Sequence, residues 1–248
     1  MLHVSGEPIP GAQDAVAELR REGHALRFVT NNSTRPRAQL AAELRGLGFD
    51  LEDGDLQTPA GTAARELSGK RVCALVMPGV VPDLEGLDLV GDGAHAVLLG
   101  GCDETLGPNQ VFSYMNLARA FSEIQMGAEL YCLHKNRWWQ TSRGPMLDAG
   151  AFVAGLEYAT GVEATVLGKP SPAYFAAALD ALGAEPELTW LVGDDPESDI
   201  RAAQLFGMRT ALVRTGKFRP DTLEGLDIRP DVVLSSIADL PGWLERTA

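Results

Sequence analysis

The sequence predicts an α/β protein, a parallel sheet wrapped by helices with a second α/β domain inserted into it. Three observations predict this class. Short apolar runs alternate with helix-period segments towards both ends of the chain, as parallel β–α units require. The run Leu188-Thr189-Trp190-Leu191-Val192 ends abruptly in Gly193-Asp194-Asp195-Pro196-Glu197-Ser198-Asp199, a strand-to-helix junction dense in carboxylates. The middle of the chain carries strand candidates of its own, and no long linker or internal repeat separates it from the flanks.

Taken in order, Pro10 to Arg21 places Ala12, Ala15, Val16 and Leu19 at helical spacing before Gly23, a natural stop. Ala25 to Val29 is short and strand-like and opens into Thr30-Asn31-Asn32-Ser33-Thr34. Ser33 or Thr34 is suited to cap the next helix, whose Leu40, Leu44 and Leu47 form a stripe before Gly48. A strand near Asp55 to Thr58 and a helix from Ala60 to Leu67 follow. In the middle, strands are expected at Val72 to Met77, Ala94 to Leu99 and Glu129 to Leu133. A helix from about Pro108 to Met126 would bury Tyr114, Leu117, Phe121 and Ile124. Alternation then resumes: strand Ala164 to Leu167, helix Pro172 to Leu182, strand Leu188 to Val192, helix Asp199 to Phe206, strand Thr210 to Val213. The expected division is a core of residues 1–68 and 161–248 with an inserted domain over 69–160.

Composition narrows the function. A net charge of −13 over 248 residues argues against nucleic-acid partners, which select a basic face. No apolar run of about 18 residues suggests a membrane span, and no leader pattern is evident, so a cytoplasmic location is expected. Cys73, Cys102 and Cys132 lack paired metal spacing and read as buried apolar residues, and the four histidines lack ligand-like spacing.

Three polar clusters follow strands, and α/β sheets build their sites at strand carboxyl ends. Asp194 and Asp199 offer hard oxygen donors of the kind Mg²⁺ takes, although Asp, Pro and Ser also make good turns and caps. Thr30, Asn31 and Asn32 offer hydroxyl, amide and backbone donors for an anion, or alternatively a capping loop. Lys169, in Gly168-Lys169-Pro170-Ser171-Pro172, can neutralise a carboxylate or phosphate, or sit as a loop lysine. Together they describe a Mg²⁺-dependent phosphoryl-transfer site acting on a small phosphorylated substrate.

The order Phe28-Val29-Thr30-Asn31-Asn32-Ser33, Gly168-Lys169-Pro170, Gly193-Asp194-Asp195 with Asp199 resembles motifs II, III and IV of the haloacid dehalogenase (HAD) superfamily. The insertion between the second and third motifs resembles the C2 cap of its subclass IIA. Leu147-Asp148-Ala149-Gly150, Leu156-Glu157-Tyr158-Ala159 and Val213 to Pro220 are similar to the phospholysine phosphohistidine inorganic pyrophosphate phosphatase group. The resemblance implies a Rossmann-like core and an aspartate nucleophile that forms an aspartyl-phosphate. It further implies that Thr30 and Lys169 are catalytic, with Thr30 binding the transferring phosphoryl oxygens and Asn31 and Asn32 near the substrate. Lys169 would hold the nucleophile and phosphate charges together, Asp194 would bind Mg²⁺, and Asp199 would orient Asp194 or a metal-bound water. A homodimer through the cap is a further expectation from the resemblance.

The family's first motif, Asp-x-Asp-Gly-Val-Leu, has no counterpart in the sequence: aligning its last Leu with Leu2 puts both aspartates ahead of Met1. Asp53 and Asp55 imitate the pattern but follow the Thr30 motif, in the wrong order. A start codon set too far downstream is one explanation, and a truncated, non-catalytic phosphate-binding protein is the other. Loss of a central strand would leave two unpaired edges, and Met1 to Val4 are too few to replace it. The cluster His134-Lys135-Asn136-Arg137-Trp138-Trp139 could contact a leaving group, or its tryptophans could pack a hairpin or a dimer face. Arg214 to Arg219 forms another basic loop. A phosphate-accepting receiver domain also uses Asp, Thr and Lys, but the insertion and the motif order count against it.

Overall fold

A computed structural model describes residues 2–4, 6–103, 111–141, 144–216, 218 and 229–247. Its strands, in chain order, are β1 (His3–Val4), β2 (Glu7–Pro8), β3 (Phe28–Val29), β4 (Leu56–Gln57), β5 (Arg71–Leu75), β6 (Asp88–Leu89), β7 (Ala96–Leu99), β8 (Glu129–Cys132), β9 (Trp138–Thr141), β10 (Gly144–Leu147), β11 (Thr165–Val166), β12 (Trp190–Gly193), β13 (Arg209–Val213) and β14 (Val232–Leu234). The chain forms two compact units, one of Met1–Phe28, Leu40–Leu56 and Lys169–Ala248, the other of Val29–Gln39 and Gln57–Gly168. The insertion expected over residues 69–160 falls inside the second unit, which also includes the Thr30 to Thr34 loop.

In the first unit, helix Ala12–Arg21 buries Ala12, Ala15, Val16 and Leu19, the stripe its spacing predicts. It stops where Gly23 takes φ +87° and the Gly23 and His24 N–H groups donate to Arg20 and Leu19 carbonyls, both at 3.0 Å. Ala12, Val16 and Leu19 pack with Leu40, Leu44, Leu56 and Val213 into one apolar core. Parallel strands β12, β13 and β14 form a sheet in which Gly193 pairs with Leu212, so β12 delivers Asp194 at its carboxyl end. Helix Pro172–Leu182 matches its expected bounds, with proline at its start and Gly183 at φ +62° after its end. Among the described residues, β1 and β2 pair with each other as an antiparallel hairpin, His3 opposite Pro8.

The second unit is built on a five-stranded parallel sheet in the order β11-β8-β7-β5-β6. Its central strand β7 is buried on both faces, as a helix-covered parallel sheet requires: Val97, Leu98 and Leu99 are in its core with Leu130 of β8. Each such side chain contributes about 1.5–3 kcal/mol by burial. Because all five strands run the same way, Gly100-Gly101, Leu133-His134 and Leu167-Gly168 emerge at one edge. Helix Pro59–Glu66 begins at Thr58, whose hydroxyl accepts the Gly61 N–H at 3.2 Å.

Several expectations are corrected. The middle helix runs over Tyr114–Gln125, with Ser113 as its cap, and turns Leu117, Ala120 and Ile124 towards the core. Tyr114 is 83 % exposed and Phe121 37 %, because small Ala120 rather than Phe121 meets the sheet. Residues 108–110 of the expected helix lie outside the described residues, as do Lys217, Arg219 and Pro220 of the basic loop. Neither Ser33 nor Thr34 caps the following helix, which starts at Arg37. The segment after β12 begins at Pro196 rather than Asp199, as a π-helical turn over Pro196–Arg201 that becomes α-helical at Ala202.

Candidate active site

Asp194, Asp195 and Asp199 divide three tasks among them. The Asp195 side chain accepts the N–H groups of Glu197 (3.2 Å) and Ser198 (3.0 Å), capping the π-helical turn. Asp199 is 5 % exposed, and its Oδ1 lies 2.6 Å from the Lys169 ammonium. Its Oδ2 accepts the Asp195 N–H at 3.3 Å. A π-turn sets this geometry: the widened turn rotates Asp199 back over β12, where Gly193 makes room for it. A Cβ on residue 193 would lie 2.4 Å from Asp199 Oδ2. Asp194 is also buried, one residue beyond the strand.

In the second unit, the Thr30 to Thr34 loop is fixed by its own side chains. Thr30 Oγ1 accepts the Asn32 N–H, and Asn32 Oδ1 accepts the N–H groups of Thr34 and Arg35, each at 3.1 Å. Ser33 is buried and its hydroxyl accepts the Gly101 N–H at 3.1 Å, fastening the loop to the carboxyl end of β7. Asn31 stands against Gly168, where an added Cβ would come within 2.9 Å of Asn31 Oδ1 and 2.4 Å of the Leu133 carbonyl. Glycine is therefore required just before Lys169.

Of the sequence-derived candidates, Lys169 and Asp199 are brought into direct contact, and Asp194 lies in the same unit. Thr30, Asn31 and Asn32 share one loop of the other. Asp53 and Asp55, the imitation of the first motif, are structural: they pair with Arg45 and Arg20, each at 2.8 Å.

A cavity of about 180 Å³ in the second unit, beside the Thr30 to Thr34 loop, was not foreseen from sequence. His134 and Asp148 line it, both buried, with His134 Nε2 3.7 Å from Asp148 Oδ1. Burial pushes the His134 pKa below its usual value, against the opposing pull of Asp148. Its Nδ1 accepts the Asn136 N–H at 3.4 Å, which leaves the ring proton on Nε2. The signal in sequence was the His134 to Trp139 cluster, but nothing in it pointed to Asp148, which helix Ala149–Thr160 places by using it as its cap.

A haloacid dehalogenase-like hydrolase family model matches residues 1–90, and a HAD-hydrolase-like model matches residues 166–240. The phospholysine phosphohistidine inorganic pyrophosphate phosphatase of Bos taurus is 38 % identical over 239 residues, covering 94 % of this chain and 85 % of its own. The chain belongs to the haloacid dehalogenase-like hydrolases. Within them it falls in subclass IIA, among phosphatases. Among solved structures, the p-nitrophenyl phosphatase of Archaeoglobus fulgidus superposes with a TM-score of 0.88 at 26 % identity, covering 98 % of this chain and 95 % of that one. A glycerol phosphate phosphatase from Mycobacterium tuberculosis, in complex with magnesium, gives 0.83 at 28 %, covering 97 % and 73 %. Among the described residues no helix is long and apolar enough to cross a membrane.

Proposed function

We propose that this HAD-like hydrolase is a Mg²⁺-dependent phosphatase of small phosphorylated compounds that works through an aspartyl-phosphate. The observation that carries the reading is the enclosed pair of Lys169 with buried Asp199, in the turn after β12 that also carries buried Asp194. A lysine side chain in a site with little water is a strong stabiliser of phosphoryl charge. The donor set fits Mg²⁺: Asp194 presents a hard carboxylate, and Asp199, held by Lys169 and the Asp195 N–H, would orient Asp194 or a metal-bound water. Bound Mg²⁺ would neutralise charge on the phosphoryl oxygens. Thr30 and the amides of Asn31 and Asn32 bind those oxygens. The nucleophile in this reading is the first aspartate of the family's Asp-x-Asp-Gly-Val-Leu motif, which residues 1–248 do not contain, and a carboxylate nucleophile splits one displacement into two easier ones.

The cap, residues 69–160 in this reading, supplies leaving-group contacts and a homodimer face, and the enzyme acts in the cytoplasm. In a polypeptide carrying the Asp-x-Asp segment, Lys169→Met should lower kcat/KM for p-nitrophenyl phosphate by about 10²–10³, with Mg²⁺ present. Unchanged turnover in a folded variant would remove Lys169 from the mechanism.

A further inference from the structure

Hydrogen bonds within the Thr30 to Thr34 loop set its shape, and bonds to other elements set its position. Thr30 Oγ1 and Asn32 Oδ1 accept N–H groups of the loop and of Arg35, which fixes its turns. At its start the Thr30 N–H donates to the Gln57 carbonyl at 3.1 Å. Near its end the Ser33 hydroxyl accepts the Gly101 N–H at 3.1 Å, with both residues buried. Gly101 lies two residues past β7, whose four residues are each 0 % exposed and which pairs with β5 on one side and β8 on the other. A central strand of this kind is among the last parts of a fold to open. The loop is pressed tightly onto that strand end. A Cβ at position 101 would stand 2.5 Å from Ser33 Oγ, 3.0 Å from His134 Nε2 and 3.2 Å from Thr34 Cγ2, so contact rather than torsion requires glycine there.

We infer that Ser33 is a positioning residue for the phosphoryl group: through Gly101 it holds Thr30, Asn31 and Asn32 in register with the end of β7, and so couples phosphate binding to the sheet of the second unit. The inference rests on the phosphatase reading, which assigns the phosphoryl oxygens to Thr30, Asn31 and Asn32. Ser33 acts through that loop and touches no reacting atom. Misplacing a binding group by about 1 Å can cost about 10²-fold, so a loop free to slide loses affinity although every group that binds phosphate is retained. Coupling is reciprocal. Phosphate that orders the loop should therefore slow hydrogen exchange at the Gly101 amide.

Calorimetric titration with inorganic phosphate in Mg²⁺, together with amide exchange at Gly101 followed by NMR, tests the coupling without needing turnover. Ser33→Ala removes the acceptor and should weaken phosphate binding at least about tenfold, about 1.4 kcal/mol. Saturating phosphate should slow Gly101 exchange at least about tenfold in the wild type and less than about twofold in Ser33→Ala. Gly101→Ala crowds the same contact from the strand and should also weaken binding, with little further loss in the double variant, because both substitutions displace one loop. Glu123→Ala is the control: Glu123 Oε2 accepts the Ala94 N–H at 2.6 Å, at the opposite end of β7. It should lower the melting temperature while leaving phosphate affinity within about twofold, or about 0.4 kcal/mol. Wild-type affinity in folded Ser33→Ala, an equal loss in Glu123→Ala, or Gly101 exchange that phosphate does not slow in the wild type overturns this inference alone. Failure of the wild type to bind phosphate overturns the phosphatase reading, and the inference with it.

Discussion

Replacing Asp199 by asparagine removes a charge from an enclosed ion pair of the first unit while keeping its shape. Lys169 Nζ and Asp199 Oδ1 are 2.6 Å apart, with side chains 11 % and 7 % exposed, so little solvent screens them. At an effective dielectric of 20 the gross attraction is about 6 kcal/mol, much of it offset by desolvation of both ions. Removing one partner of an enclosed pair typically costs about 3–5 kcal/mol. Because the substituted amide still offers an oxygen to the lysine and to the Asp195 N–H, the lower end of that range, about 3 kcal/mol, is expected. Urea unfolding without metal, followed by fluorescence, gives the difference from the midpoint and slope. Lys169→Met should cost a similar amount, and the double variant less than the sum by about 0.5–3 kcal/mol. An Asp199→Asn loss under about 0.5 kcal/mol, or strict additivity of the pair, would refute the argument that this ion pair is coupled and enclosed.

Gly193→Ala should destabilise by about 1–3 kcal/mol, because the new methyl meets the Asp199 side chain at 2.4 Å; thermal unfolding measures it. Thr58→Ala removes the acceptor of the Gly61 N–H and should cost about 1 kcal/mol, read by the same method. His134 has a folded pKa depressed by burial, so the unfolded chain binds its proton first. Its contribution is complete above the unfolded pKa of about 6.5 and is lost as pH falls through that value towards the lower folded one. Stability should therefore decline on acidification below about pH 6.5, with Asp148 the carboxylate facing the ring, and His134→Gln should flatten that decline. Burial pushes the thiols of Cys102 and Cys132 up to about 11 and about 12, so neither should react with a disulfide reagent at pH 8 until denaturant is added.

The elements that were legible in sequence are those with local punctuation. Helix Pro172–Leu182 is framed by a proline and a glycine that each act at their own position, and Ala12 to Leu19 repeats a period that a helix reads directly. What escaped depends on partners far along the chain. Ser33 looks like a cap from its neighbours, yet its hydroxyl serves Gly101, 68 residues on. Phe121 looks buried from the spacing, yet the sheet meets the helix one residue away, at Ala120. In the site, Lys169 and Asp199 were each legible as candidates, but their contact was not: the strands that precede them lie in different sheets, and the π-turn that aims Asp199 and the glycine beneath it have no local signature. Asp148 reads as one of many helix caps, and only the fold sets it beside His134.

Hydrolysis of p-nitrophenyl phosphate by the polypeptide with an Asp-x-Asp segment ahead of Met1, with and without Mg²⁺, tests the phosphatase reading most directly. Turnover that requires both Mg²⁺ and the first aspartate is the predicted result. No hydrolysis by a folded protein in Mg²⁺, or equal hydrolysis when that aspartate is replaced by asparagine, would contradict it.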